Sequence, residues 1–319
     1  MSATEYDRFG PWIDEVTSPA DVPRLYRDHP LDLDAARLVL KVPRDVHRRE
    51  VTAGMDLYDH LLVVDATTLT VLSRRATERP AGRRGDRAAP AGTGYDVRTV
   101  PLAHVVAVRE SVDLLDGRLT VRTEDGGALA VRFSGSSRAQ VTRLVDLLRE
   151  GASSGPPTPT GRALAAAGGA LAPCPLDPGR DDLALVADVT AAVRANPALV
   201  PWTCHGRTPL TVRAAGVATL AARVSHALSP ATLQGAVVAG DDRAVEVHAR
   251  SAWVTRGRVP QHSASRLVLP LARLEAISLS PHPLYDGVVE VTCTLGRSEV
   301  GLVVPEGSAL HELVARVCA

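Results

Sequence analysis

The sequence predicts an α+β protein, mainly antiparallel β, built as two similar β-sandwich or barrel units that each end in a helix. Three observations carry this. PLAHVVAV, beginning at Pro101, returns as PLARLEAI at Pro270 with half of its eight positions identical. LLDGRLTV from Leu114 reappears as LYDGVVEV from Leu284. Beyond both, an apolar stripe at helical spacing, Val141, Leu144, Val145 and Leu148, recurs as Leu310, Leu313, Val314 and Val317. The offset is 169 or 170 residues at every landmark, which reads as internal duplication. A chain of 319 residues has room for two such cores.

Residues 1–36 form an N-terminal arm holding Tyr6, Phe9, Trp12 and Tyr26, four of only ten aromatics. The arm is too short to make its own core, so it packs onto a domain or offers Phe9 and Trp12 to a partner. Residues 37–150 are the first unit. Its segment HLLVVDATTLTVLSRR, from His60, reads as two strands around a polar turn, and GAVVAGDDRAVEVHAR, from Gly235, can be laid beside it. A Gly-, Pro- and Arg-rich loop over 76–94 follows. Asp116-Gly117 and Asp286-Gly287 are the expected hairpin turns, because Gly adopts φ > 0 without a Cβ clash. Val71, Val106, Leu119, Val121, Leu129, Val131 and Phe133 are the inward positions of the first unit, and Val289, Val291, Val300, Leu302 and Val304 those of the second. Ser137 and Gln140 have capping-box spacing at the start of the first helix.

Residues 151–180, with Pro156, Pro157, Pro159, Pro173 and Pro175, read as a flexible, protease-sensitive linker. Residues 181–210 contain a helix, DDLALVADVTAAVRANP, that starts at Asp181-Asp182 and stops before Pro197. Residues 211–319 are the second unit.

A hairpin, a strand opening on PLAHVVAV or PLARLEAI, then DGRLTVRTEDGGALAVRF or DGVVEVTCTLGRSEVGLVV and a terminal helix together resemble the pleckstrin-homology (PH) superfold, in particular small bacterial PH-like domains. The resemblance spans about 38–150 and 211–318 and implies a binding or scaffolding role. It carries over no catalytic residue.

Charge and motifs narrow the chemistry. Thirty-six basic residues balance thirty-six acidic ones, which gives no support to general nucleic-acid binding. No apolar run suits a signal peptide or a membrane span, so a cytoplasmic protein without integral membrane association is expected. Cys174, Cys204, Cys293 and Cys318 lie far apart without a CxxC pair, and neither metal nor other cofactor is implied. GASSG at 151–155 matches a nucleophile-elbow string but follows a helix, so Ser153 reads as tether. Adjacent Cys204 and His205 project to opposite sides of an extended chain. Cys293 alternates with Val289 and Val291 and is a core residue. Asp32 and Asp34 read as a solvated turn. The one charged feature that suggests a ligand is the loop with Arg74, Arg75, Arg79, Arg83, Arg84 and Arg87, whose guanidiniums suit a phosphate or carboxylate. The expected function is therefore a non-catalytic scaffold that recognises a protein partner. The alternatives are an anion or lipid-headgroup binder using Arg79, Arg83, Arg84 and Arg87, or an enzyme with a site between the two copies.

Overall fold

The computed structural model describes all residues except 1–4, 47, 53, 76–93, 180–181, 214–228, 258–262 and 319. It is mainly β with helices, and no sheet closes into a barrel among the described residues. The order is α1 (Glu5–Arg8), β1 (Asp14–Glu15), β2 (Leu38–Pro43), β3 (Tyr58–Val64), β4 (Thr68–Arg74), β5 (Tyr95–Pro101), β6 (Val105–Asp113), β7 (Asp116–Thr123), β8 (Ala128–Ser134) and α2 (Arg138–Ala152). Next come α3 (Pro159–Leu171), α4 (Leu183–Ala195), β9 (Val200–His205), β10 (Thr208–Pro209), β11 (Thr211–Val212), β12 (Ala231–Leu233), β13 (Ala236–Gly240), β14 (Ala244–Ala249) and β15 (Val254–Arg256). The chain ends with β16 (Ser263–Pro270), β17 (Ala276–Pro281), β18 (Tyr285–Asp286), β19 (Val288–Leu295), β20 (Ser298–Pro305) and α5 (Ala309–Cys318).

Two compact units emerge. One comprises Met1–Leu102 with Ser136–Leu147, the other Ala103–Gly135 with Leu148–Ala319. In the first, β1 to β5 make one antiparallel sheet in sequence order. Its one short connection is a polar turn: at Asp65 the carboxylate accepts the Thr67 and Thr68 N–H groups, both at 2.7 Å, and reverses the chain between β3 and β4. The N-terminal arm belongs to this core. Phe9, Val16, Val22 and Tyr26 cluster with Val39, Val51, Leu57, Tyr58, Leu61 and Leu72. Ser137, expected to cap α2, instead accepts the Ile13 N–H at 2.7 Å, and Gln140 Oε1 has no partner among the described residues. A tertiary contact has replaced the capping box.

In the second unit a seven-stranded sheet runs β8-β7-β6-β16-β14-β13-β9. Its centre is the antiparallel pairing of β6 with β16, Val108 opposite Val268 and Asp113 opposite Ser263. The inner residues of β14 and β16, including Val245, Val247, Leu267 and Leu269, share a core with Val289, Val291, Cys293, Val300, Leu302 and Val304 from a second sheet, β17-β19-β20. Leu310, Leu313 and Val314 of α5 close it. The inward positions expected for both copies are buried, except Leu129, which is half-buried.

Three expectations are corrected. Residues 159–171 form α3, where the sequence suggested linker. Thr158 caps it by accepting the Gly161 N–H at 2.9 Å, with Pro159 in its first turn. Prolines therefore punctuate this helix at its ends, where they are tolerated. Its buried face is Gly161, Leu164 and Gly168, small enough for the Trp202 ring to lie where a Gly168 Cβ would be, 2.3 Å away. Ser153, expected in a mobile tether, is buried at the end of α2 with its N–H on the Arg149 carbonyl at 3.0 Å. The first hairpin turn also moves: Asp113 pairs with Asp116, so Leu114 and Leu115 make the turn and Gly117 lies within β7. Gly117 is opposite Phe133, whose ring would stand 2.4 Å from an added Cβ. Close packing, not turn geometry, selects that glycine. Gly287, with φ of 73°, does have the turn conformation expected of it.

Candidate functional site

The four arginines expected to bind an anion, Arg79, Arg83, Arg84 and Arg87, lie outside the described residues. Of their neighbours, Arg74 is paired with Asp59 at 2.8 Å and Arg75 with Asp96 at 2.7 Å. Phe9 is 4% exposed and meets Tyr58 edge-on, with ring centroids 6.0 Å apart. It is part of the core of its own unit. Trp12 remains 50% exposed, its indole lying over Gly10. In the same unit a cleft of about 600 Å³ is lined by Val22, Arg27, His29, Leu31, Leu33 and neighbouring residues. Asp32 and Asp34 border it, but Asp32 is occupied with the N–H groups of Asp34 and Ala35, each at 3.1 Å. This is the local turn its spacing suggested.

Charged side chains gather in the second unit in two different ways. On one face of the seven-stranded sheet they are buried and neutralised. Glu246 on β14, 0% exposed, accepts from Arg266 on β16 at 2.8 and 2.9 Å, from Arg149 of α2 at 2.8 Å and from His248 at 3.1 Å. Burial alone would push its carboxyl up; the His248 hydrogen bond and the Arg266 charge outweigh that and hold it well below the usual carboxylate range. Asp182, just before α4, is likewise buried and bound by Arg250 at 2.9 Å and Arg207 at 3.1 Å. Each oxygen of Glu246 has two donors and both oxygens of Asp182 have at least one, so these networks fix strands and helices together and leave little to offer a ligand.

The outer face of β6, β7 and β8 is different. Strand alternation buries Leu119 and Val121 while Arg118, Thr120 and Arg122 point the other way. Pairing then sets Arg118 beside Arg132, and Arg109 beside Thr120. Four guanidiniums thus share one three-stranded surface, and none of the four is in an ion pair among the described residues. Asp113 and Asp116 stand at the hairpin end of that face. Arg109 is the anchor of the group: its Nη2 donates to the Ser251 carbonyl at 2.7 Å, and its guanidinium lies 5.7 Å from the centre of the Trp253 ring. Its Nε is buried without a partner among the described residues. Burial, and then the neighbouring charge of Arg122, hold its pKa below the ordinary arginine value. Such an arrangement stores unneutralised positive charge that an incoming carboxylate or phosphate would relieve. The alternation in RLTVR was legible in the sequence; that Arg109, Arg118, Arg122 and Arg132 share a face required the strand register.

No group of three or more His, Cys, Asp or Glu side chains suited to a metal ion occurs among the described residues. Cys204 and His205 are neighbours on β9, with His205 Nδ1 directed to the Gly206 carbonyl at 3.1 Å. No helix is long and apolar enough to cross a membrane among the described residues. In comparisons with known proteins, no family model, no curated protein and no solved structure matches this chain, and the functional reading rests on its geometry.

Proposed function

We propose that the chain is a non-catalytic binding protein made by duplication of a PH-like sandwich, and that the outer face of β6–β8 receives an acidic segment of a protein partner. The order of the strands supports the duplication. β2-β3-β4-β5 and β9-β13-β14-β16 are both four-stranded antiparallel meanders, β6-β7-β8 and β17-β19-β20 both three-stranded ones, and α2 and α5 follow in the same place. The observation that carries the binding role is the arginine face. Arg forks match carboxylates in a bidentate way, and Ala128 and Ala130 leave only small side chains outward beside Arg132 on the outermost strand, room for an extended chain.

The test is titration of a fluorescently labelled oligoglutamate by anisotropy at low and physiological salt. Wild type should bind, with affinity falling as salt rises over a screening length of about 8 Å. Arg118→Glu combined with Arg132→Glu should weaken binding about tenfold or more, the loss expected when charge complementarity is reversed. Unchanged binding in the double variant overturns the site. Binding to phosphate or phosphatidylserine vesicles without binding to oligoglutamate overturns the protein-partner reading in favour of a smaller anion.

A further inference from the structure

We infer that Cys174 and Cys204 form an oxidisable dithiol that closes to a disulfide between the α3–α4 connection and strand β9. The two residues are 30 positions apart, yet their sulfurs lie 3.6 Å from each other. Both thiols also lie 3.3 Å from the Pro175 carbonyl oxygen. The approach is held by the backbone. Cys174 donates its N–H to the Pro201 carbonyl at 2.9 Å, which lays the connection along β9, the outermost strand of its sheet. Beneath, Cys204 and Leu176 pack against the small cluster of Leu185, Val189 and Val237. Both cysteines are half-buried, so a small oxidant can reach them. The other two cysteines differ: Cys293 is buried in the core and Cys318 is exposed near the end of α5.

The reaction takes an oxidant of the hydroperoxide class. One sulfur, as thiolate, attacks a peroxide oxygen and breaks the O–O bond, giving a sulfenic acid and hydroxide. The second sulfur attacks the sulfenic sulfur, forming S–S and breaking S–O. Two thiols lose two protons and two electrons, and hydrogen peroxide is reduced to two waters. Burial, and then the neighbouring Cys204 sulfur, push the Cys174 thiol up to about 11, so at neutral pH it is almost entirely the unreactive thiol and the peroxide step draws on a small thiolate fraction. Closure would tie the connection covalently to a sheet edge, where a row of backbone groups otherwise invites pairing with another chain.

The experiment uses the reduced full-length protein, treated with hydrogen peroxide, alkylated under denaturing conditions and digested without reduction. A peptide linking Cys174 to Cys204 is expected, with Cys293 still alkylated. The linked peptide should vanish in Cys174→Ser and in Cys204→Ser and persist in Cys318→Ser, and circular dichroism of each variant verifies that it is folded. Two results overturn the inference: both sulfurs remaining alkylatable while Cys318 is consumed, or a linked peptide that forms only when the protein is unfolded before oxidation. Conversion of either cysteine to the sulfinic acid in place of the link also overturns it.

Discussion

Glu246 sits between two guanidiniums and an imidazole inside a sheet face, and the energetics of that arrangement are asymmetric. Its net worth over an apolar alternative is small, but removing one partner strands the others. Glu246→Gln leaves Arg149 and Arg266 buried opposite a neutral side chain, and urea unfolding should show a loss of about 3–5 kcal/mol. The pH dependence has a definite sign. A carboxyl whose folded pKa is depressed contributes stability that is present above its unfolded value, about 4.3, and is lost as pH falls through the folded value. Asp241, bound to Arg149, is depressed too, its backbone and side-chain hydrogen bonds outweighing the upward push of burial. Melting temperature should therefore drop steeply below about pH 4, and the Gln variant should show a shallower acid slope. A Gln variant with wild-type stability and acid slope would remove the network from the account.

Among the elements, α3 shows most directly how packing overrides composition. An Ala- and Gly-rich stretch between prolines has the composition of a linker, because glycine costs a helix about 1 kcal/mol relative to alanine. Here the glycines are what let the helix approach: Gly161 packs on the Leu271 backbone and Gly168 on Trp202. Gly168→Val should therefore destabilise the second unit, by about 1–3 kcal/mol through overpacking, despite its higher apolar content. Thermal melts of Gly168→Val and of Gly169→Ala distinguish the cases, since Gly169 has open space around it. A Gly168→Val melt equal to wild type would show that the Trp202 contact does not bear on stability. The β6–β7 turn makes the same point from the other side. Leu114 has a φ of 56° and is 56% exposed, a strained apolar turn residue that turn chemistry would not have chosen.

For the whole molecule, the decisive feature is that β6 has β7 on one side and β16 on the other, which makes a central strand of what either half alone would leave as an edge. Backbone groups there are paired twice and lie away from solvent. Hydrogen exchange should find the amides of β6 and β16 among the slowest in the second unit, with β8 and β9 faster, since protection rises toward a sheet's centre. Exchange of β6 as fast as of β8 would contradict the pairing. The arginine face depends on the same join, because Arg109 is opposite Leu267 of β16 and is anchored by Ser251 and Trp253.

The strand pairs β3–β4, β13–β14, β7–β8 and β19–β20 and the stripes of α2 and α5 were legible in the residues, as was the core placement of Cys293. All arise between positions close in sequence, where period-2 or period-3.6 patterning and turn chemistry carry the information. The pairing of Val108 with Val268, the ion pairs of Glu246, the thiol contact of Cys174 with Cys204 and the gathering of Arg109, Arg118, Arg122 and Arg132 were settled by tertiary structure alone. Each depends on which strand edge meets which, or on the register between strands, and an unpaired edge presents the same backbone groups whatever its sequence.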